Sequence, residues 1–330
     1  MIGFALFGCG RIGRMHARNI HAHPGAELVA CFDVAGPAAA AVAAEHGASQ
    51  AQSVDEALAN PRVRAVFVAS STDTHVDLIA RGVQAGKAVL CEKPVDLDIA
   101  RVDACWQAIA GLRPLVMIGF NRRFDPSFRA LRDRLAAGEI GRVEQVVITS
   151  RDPAPPPPAY IAASGGLFRD MTIHDFDLAR FLAGDIVEVQ AMGANLIDPA
   201  IEAQGDIDAA MVVMRAASGA LVHINNSRRC AYGYDQRIEA FGEAGMLQAL
   251  NQHPTTVEAW GGERTRAMDP VQDFFIERYA DAYRAELDHF IDCVNTGAAP
   301  LAGFAEGREA LRLADAALDS MRSGRAVRLS

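Results

Sequence analysis

The first third of the chain carries short, almost unbroken apolar runs separated by stretches with helical spacing. The runs are Ile2 to Phe7, Glu27 to Phe32, Ala65 to Ala69, Ala88 to Cys91 and Leu115 to Gly119. Helical patterns fill the gaps near Ile12 to Ala22, Pro37 to His46, Thr74 to Ala85 and Leu97 to Ile109. Strands apolar on both sides, alternating with helices, predict a parallel sheet covered on both faces, in the manner of a doubly wound nucleotide-binding domain.

Beyond about residue 120 the pattern changes. Runs at Val143 to Thr149, Ile186 to Met192, Ala209 to Met214, Ala220 to Ile224, Gln236 to Phe241 and Thr256 to Trp260 follow one another with few helices between. Gln236 to Phe241 alternates polar and apolar residues, which predicts an antiparallel sheet with one solvated face. Gly242-Glu243-Ala244-Gly245 reads as a hairpin turn. Two helical stretches, Val271 to Val294 and Ala305 to Met321, close the chain. The expected organisation is therefore α/β: a Rossmann domain over residues 1–120 and an α+β domain with a large open antiparallel sheet over residues 121–330, with helices on one of its faces.

Composition narrows the partners. Of 330 residues, 41 are acidic and 32 basic, a formal charge of −9 that disfavours nucleic acid and anionic membranes as partners. No apolar run reaches the roughly 18 residues needed to span a bilayer. Met1 to Gly8 lacks a charged leader and a cleavage site, and reads as a buried strand. The six cysteines form no C-x-x-C pair, as expected of buried thiols in a reducing cytoplasm. The biased stretch Asp152 to Pro158 suits a polyproline II arm, either a ligand for an SH3-type domain or an arm over an active site.

The candidate chemistry begins at Gly8-Cys9-Gly10-Arg11-Ile12-Gly13, a G-x-G-x-x-G directly after a strand and opening a helix. In that position the first glycine makes a tight turn, the second admits a pyrophosphate and the third lets helix pack on strand. Asp33 ends the second run about 20 residues on, where a carboxylate accepts from a ribose 2′-hydroxyl. No Arg or Lys follows between Val34 and Gln50 to receive a 2′-phosphate, so NAD is favoured over NADP. Ser70, Thr72, His75, Glu92 and Lys93 complete the expected cofactor contacts. Glu92-Lys93-Pro94 follows a strand at the carboxyl edge of the sheet, where Lys93 offers a cationic donor to a substrate oxygen and its bond to Pro94 is a candidate for cis.

A second group spans Gly165 to Asp177. Asp170 and His174 are four residues apart, which places both on one face of an expected helix, and an imidazole beside a carboxylate is a suitable proton acceptor near neutral pH. A metal set of His174, Asp175 and Asp177 fails on spacing, because steps of one to three residues spread the side chains around a helix. No metal is expected.

With these motifs the chain resembles the Gfo/Idh/MocA oxidoreductase family and, within it, bacterial inositol 2-dehydrogenases. The resemblance is carried by Gly119 to Pro126, by Ser150 to Leu182 and by Tyr232-Gly233-Tyr234-Asp235-Gln236, beyond the glycine motif and Glu92-Lys93-Pro94. It implies a catalytic set of Lys93, Asp170 and His174, with substrate contacts at those three residues, Arg122, Asp152 and Tyr232 or Tyr234. It also implies a homotetramer built on the open sheets and a last helix packing back on the first domain. Asp152 and Met171 differ from the asparagine and threonine of some inositol dehydrogenases. The implied reaction is NAD-dependent oxidation of a secondary hydroxyl of a cyclic polyol, myo-inositol to 2-keto-myo-inositol, with His174 as base. A scyllo-inositol or aldose dehydrogenase is the neighbouring alternative. A non-catalytic NAD-binding redox regulator is the rival of another class, and it has no use for a base beside a cationic donor.

Overall fold

A computed structural model describes residues 1–329. It divides into two compact units, Met1–Phe124 with Ala282–Leu311, and Asp125–Asp281 with the end of the chain from Arg312.

The first unit is built on a six-stranded parallel sheet in the order β3-β2-β1-β4-β5-β6. Its strands are β1 (Ile2–Phe7), β2 (Ala26–Phe32), β3 (Ser49–Gln50), β4 (Val63–Val68), β5 (Ala88–Cys91) and β6 (Val116–Ile118). Every residue of β1 is buried, the environment its unbroken apolar run requires. The connecting helices are α1 (Arg11–Ala22), α2 (Gly36–His46), α3 (Val54–Ala59), α4 (His75–Gln84) and α5 (Ile99–Ile109). Phe4, Leu6, Ala17, Ile20, Leu28 and Val42 share one core, to which Leu287 and Phe290 also contribute. These last two come from a helix far along the chain, so the unit is not one continuous stretch of sequence.

The second unit holds a seven-stranded sheet in the order β12-β11-β7-β10-β9-β8-β15. Its strands are β7 (Val143–Arg151), β8 (Ile186–Ala194), β9 (Ala209–Ala216), β10 (Leu221–Ser227), β11 (Asp235–Gly242), β12 (Gly245–Ala249) and β15 (Val327–Arg328). The helices before β8 are α6 (Pro126–Ala136), α7 (Pro158–Ser164), α8 (Leu167–Asp170) and α9 (Thr172–Ala183), and α10 (Pro199–Glu202) precedes β9. Helix α9 lies on β7, β8 and β10, with α6 beside it. The hairpin at Gly242 to Gly245 is present, with those two glycines paired across it. The sheet is mixed, because β10 runs parallel to β7 while its other long-strand pairs are antiparallel.

Two expected elements differ. Of the run Thr256 to Trp260 only Glu258–Ala259 (β13) is a strand, paired with Ala267–Met268 (β14) in a separate ribbon. Most of its residues are exposed, so it has no apolar face to bury in the main sheet. The helix expected from Val271 begins later, as α11 (Phe275–Arg278) and α12 (Ala280–Thr296), followed by α13 (Phe304–Ser323). Pro270 precedes Val271, and neighbouring loops take the backbone that a helix would use. Tyr234 N–H donates to Gln272 O at 2.8 Å, and the N–H groups of Val271 and Gln272 donate to Tyr232 O and Gln252 O at 3.2 and 3.1 Å.

Candidate active site

The glycine loop of the first unit depends on backbone space. Gly8 has φ +94°, and a Cβ there would lie 2.5 Å from Ser70 N and the Ala69 carbonyl carbon. Gly13 sits against the Gly8 carbonyl so closely that no side chain fits. Gly10 is different: it is exposed, and a Cβ there would meet nothing within 4 Å. Two glycines thus make the turn, and the third leaves an open approach at the start of α1. Asp33, just after β2, accepts from Cys9 N–H at 2.6 Å through Oδ2 and from Ala35 N–H at 2.8 Å through Oδ1. The carboxylate expected to read the ribose is therefore held beside the glycine loop. An open cradle at a helix N-terminus with an adjacent carboxylate fits a dinucleotide. Arg11 is exposed beside it, and Ile12 half-buried.

After β4, Ser70 Oγ and Thr74 Oγ1 are 2.6 Å apart, and Thr72 opens the short 3-10 turn to Thr74. His75 was expected to touch the cofactor, but its ring is buried at 1 % exposure. Its Nδ1 lies 2.7 Å from Pro94 O and its Nε2 3.2 Å from Ser70 O. Burial lowers its pKa, against the opposing pull of those two carbonyls. The imidazole braces the turn that carries Lys93, which is half-buried and joined to Pro94 by a cis peptide.

Glu92 Oε1 is 2.8 Å from His16 Nε2, and His16 lies against the Phe67 ring at 3.9 Å. Glu286 of α12 is fully buried, and neither of its carboxyl oxygens has a hydrogen-bond partner. Burial, then the charge of Glu92, raises its pKa well above the ordinary range. Neither His16 nor Glu286 was identified from sequence, because an isolated His or Glu on a helix carries no pattern.

In the second unit, Asp170 and His174 do not share one unbroken helix. Asp170 ends α8, Met171 intervenes and His174 lies in the first turn of α9. Both are half-buried. Gly166, at φ +87°, precedes α8, and its missing Cβ leaves room for Asp206 Oδ1, which would lie 2.8 Å from such an atom. That oxygen accepts from Leu167 N–H at 3.0 Å, which satisfies a free donor at the helix start. At the start of α9, Asn226 Nδ2 donates to Asp175 Oδ2 at 2.7 Å, and Thr172 Oγ1 donates to Asn226 Oδ1 at 2.7 Å. Asp175 and Asp177 are buried. Among the described residues no group of three His, Cys, Asp or Glu is arranged to hold a metal.

Asp170 itself is engaged through both carboxyl oxygens. Tyr160 Oη donates to Oδ1 at 2.8 Å, and both terminal nitrogens of Arg228 lie 3.4 Å from Oδ2. Sequence patterns did not single out Tyr160 or Arg228, since one follows a proline run and the other a strand end.

The remaining polyol-binding candidates are spread across the two units. Arg122 belongs to the first and is buried at 3 % exposure. Asp152, just past β7, is half-buried, and its N–H donates to Ser227 O at 2.9 Å. Tyr234 is buried edge-on against the Tyr279 ring at 5.9 Å. Tyr232 is 47 % exposed, and its hydroxyl donates to Asp235 Oδ2 at 2.6 Å. Burial would raise the Asp235 pKa, but hydrogen bonds from Arg237, Tyr232 and Asn251 outweigh it and hold the carboxyl below its ordinary value. Tyr232 is correspondingly raised, by burial first and by Asp235 second.

Comparison with known proteins adds to this geometry. Residues 2–120 match the model of an oxidoreductase family with an NAD-binding Rossmann fold, and residues 128–248 match the GFO/IDH/MocA C-terminal domain. An inositol 2-dehydrogenase of Rhizobium meliloti is 47 % identical over 100 % of this chain and 99 % of its own. A myo-inositol dehydrogenase structure from Corynebacterium glutamicum superposes with a TM-score of 0.97 at 50 % identity, covering 100 % and 99 % of the two chains. A scyllo-inositol dehydrogenase from Lactobacillus casei, solved with NAD(H) and scyllo-inositol, has a TM-score of 0.90 at 28 % identity, covering 99 % of each.

Proposed function

The chain belongs to the GFO/IDH/MocA oxidoreductase family, and on that premise we propose that it is an NAD-dependent inositol 2-dehydrogenase that oxidises myo-inositol to 2-keto-myo-inositol. The observation that carries this reading is identity of 47 % to an inositol 2-dehydrogenase over the whole length of the chain. Gly8, Gly10, Arg11, Ile12, Gly13, Asp33, Ser70, Thr72 and the Glu92-Lys93 turn would hold the cofactor. When bound, NAD supplies the acceptor for the hydride of the carbinol carbon.

The chain's own residues handle the proton and the charge. An imidazole nitrogen of His174 takes the proton of the substrate hydroxyl, and the Asp170 carboxylate orients that ring and stabilises its cationic form. The Lys93 ammonium stabilises the alkoxide oxygen as charge develops on it. Arg122, Asp152 and Tyr232 or Tyr234 hydrogen-bond the other hydroxyls. Of the two tyrosines Tyr232 is favoured, because it is exposed where Tyr234 is buried, and its hydroxyl is already polarised by Asp235. A scyllo-inositol dehydrogenase is the second reading, favoured by the likeness to the Lactobacillus casei structure. Following NADH at 340 nm over inositol stereoisomers and aldoses, with NAD and NADP in parallel, separates them. Turnover fastest with myo-inositol and NAD is expected, and a preference for scyllo-inositol or an aldose would replace the assignment.

We further propose a homotetramer built on the open sheet. The strand register aligns Met192 with Met211, and Leu221 through Gln145 with Phe241 and Met246, so these side chains share one face with Val213. All six apolar residues are more than 40 % exposed, an unusual concentration for a monomer's surface. Met211→Glu should dissociate the assembly in sedimentation velocity, whereas a monomeric parent chain would refute it. A reducing cytoplasm is the proposed location, since all six cysteines are free, buried thiols.

A further inference from the structure

The proline-rich stretch before α7 has no part in the chemistry proposed above, and Arg228 lies buried with its charge directed at one of the proposed reacting residues. The two observations meet at Asp170. Prolines occupy positions 153 and 155 to 158, and Pro157 adopts φ −57° and ψ 145°, the polyproline II region, before Pro158 opens α7. Proline fixes φ, so such an arm reaches its end with little freedom left to lose. Two residues into α7, Tyr160 remains 48 % exposed as a residue while its hydroxyl donates to Asp170 Oδ1 at 2.8 Å. From the other side comes Arg228, just after β10. Its side chain is 1 % exposed, both of its terminal nitrogens are 3.4 Å from Asp170 Oδ2, and its Nε has no partner. Its second carboxylate, Asp206, is farther away at 3.9 Å.

We propose that Tyr160, delivered by the proline arm, and Arg228 form a clamp that fixes the direction of the Asp170 carboxylate and disperses its charge, so setting the basicity of His174. Both are positioning residues, and their role rests on Asp170 and His174 acting as described above. The charged and titratable groups around Asp170 in this unit include Tyr160 from α7 and Arg228 from the end of β10, with Asp206 before β9 on the same guanidinium, and Arg169 and His174 one and four residues away along the chain. Arg169 is drawn away by Asp315, at 2.6 Å. A hydrogen-bond donor and a cation on a carboxylate both favour its ionised form and lessen the negative field it exerts on a neighbouring imidazole. Loss of either therefore raises the pKa of His174, which must be unprotonated to accept a proton.

The test is the pH dependence of kcat/KM for myo-inositol in the full-length enzyme. Tyr160→Phe removes only the hydroxyl of a half-exposed residue and should leave the fold intact. It is expected to lower kcat about tenfold, the scale of one charge-assisted hydrogen bond, with KM within about twofold. Its acidic limb should move to higher pH. Arg228→Lys keeps the cation and should hold the limb near that of the parent, whereas Arg228→Gln should move it as Tyr160→Phe does. A purely structural tyrosine would change stability or kcat without moving the limb. Asp170→Asn is measured alongside. If it is inactive while the limb of Tyr160→Phe stays in place, the clamp is refuted and the assignment of Asp170 survives. If Asp170→Asn turns over like the parent, the assignment of Asp170 fails and the clamp with it. If Arg228→Gln does not fold, Tyr160→Phe decides alone.

Discussion

The glycine loop of the first unit and the Asp170 segment of the second are built in opposite ways. The loop is made by backbone: Gly8 and Gly13 have no room for a side chain, Gly10 is open, and Asp33 bonds to the Cys9 N–H. The Asp170 segment is made by side chains gathered from distant positions, with Tyr160, Arg228, Asp206 and Asn226 each supplying one or two hydrogen bonds or charges. Substitutions in the first site should therefore act through space and strain. Those in the second should act through charge and pH.

The largest effect expected on the loop is that of Gly8→Ala. Its Cβ would meet the backbone of Ala69 and Ser70 at a φ that L-residues avoid, so thermal or urea unfolding should report a loss of about 3 kcal/mol or more. Gly10→Ala sharpens the contrast. With nothing within 4 Å of the new methyl group, its melting temperature should match that of the parent, while NAD affinity measured by fluorescence titration should fall about tenfold or more. Equal losses of stability in the two variants would end the distinction between a glycine that makes the turn and one that admits the cofactor.

A pH-dependent effect concerns Glu286, a charge-type group set within the backbone-built unit. Its pKa is raised in the folded state by burial and by Glu92. Below the ordinary glutamate value of 4.5 it is protonated whether the chain is folded or not. As pH rises the unfolded chain releases the proton first, so folding stability falls until the folded-state pKa is reached. Glu286→Gln has no proton to lose. It should match the parent near pH 4 and exceed it increasingly at higher pH, by at most about 1.4 kcal/mol per pH unit in urea titrations. A gap that does not change with pH would show that the carboxyl is not held neutral.

What could be read from the sequence follows the same division. Five of the six strands of the first sheet, the glycine motif and the turn after β5 depend on residues adjacent in sequence, and apolar runs such as Ile2 to Phe7 or Ala88 to Cys91 contain them, whereas the two polar residues of β3, Ser49–Gln50, carry no such run. Val271 to Phe274 misled because their helical spacing is local, whereas the backbone bonds that occupy Val271 and Gln272 come from Gln252, Tyr232 and Tyr234. Asp170 and His174 stood out as a pair four apart. Their supports, 10 and 58 residues from Asp170, did not, since no spacing rule links a tyrosine after prolines, or an arginine at a strand end, to a distant carboxylate. His75 shows the converse: a residue in a plausible cofactor position whose ring is taken up by two carbonyls.

The most direct test of the proposed chemistry is His174→Ala, measured for both NAD binding and myo-inositol oxidation. The proposed roles predict unchanged NAD affinity, because the cradle is complete without the imidazole, and a fall in kcat of about 10²–10⁴, the usual contribution of a positioned base. Oxidation of myo-inositol within a few-fold of the parent rate would contradict them.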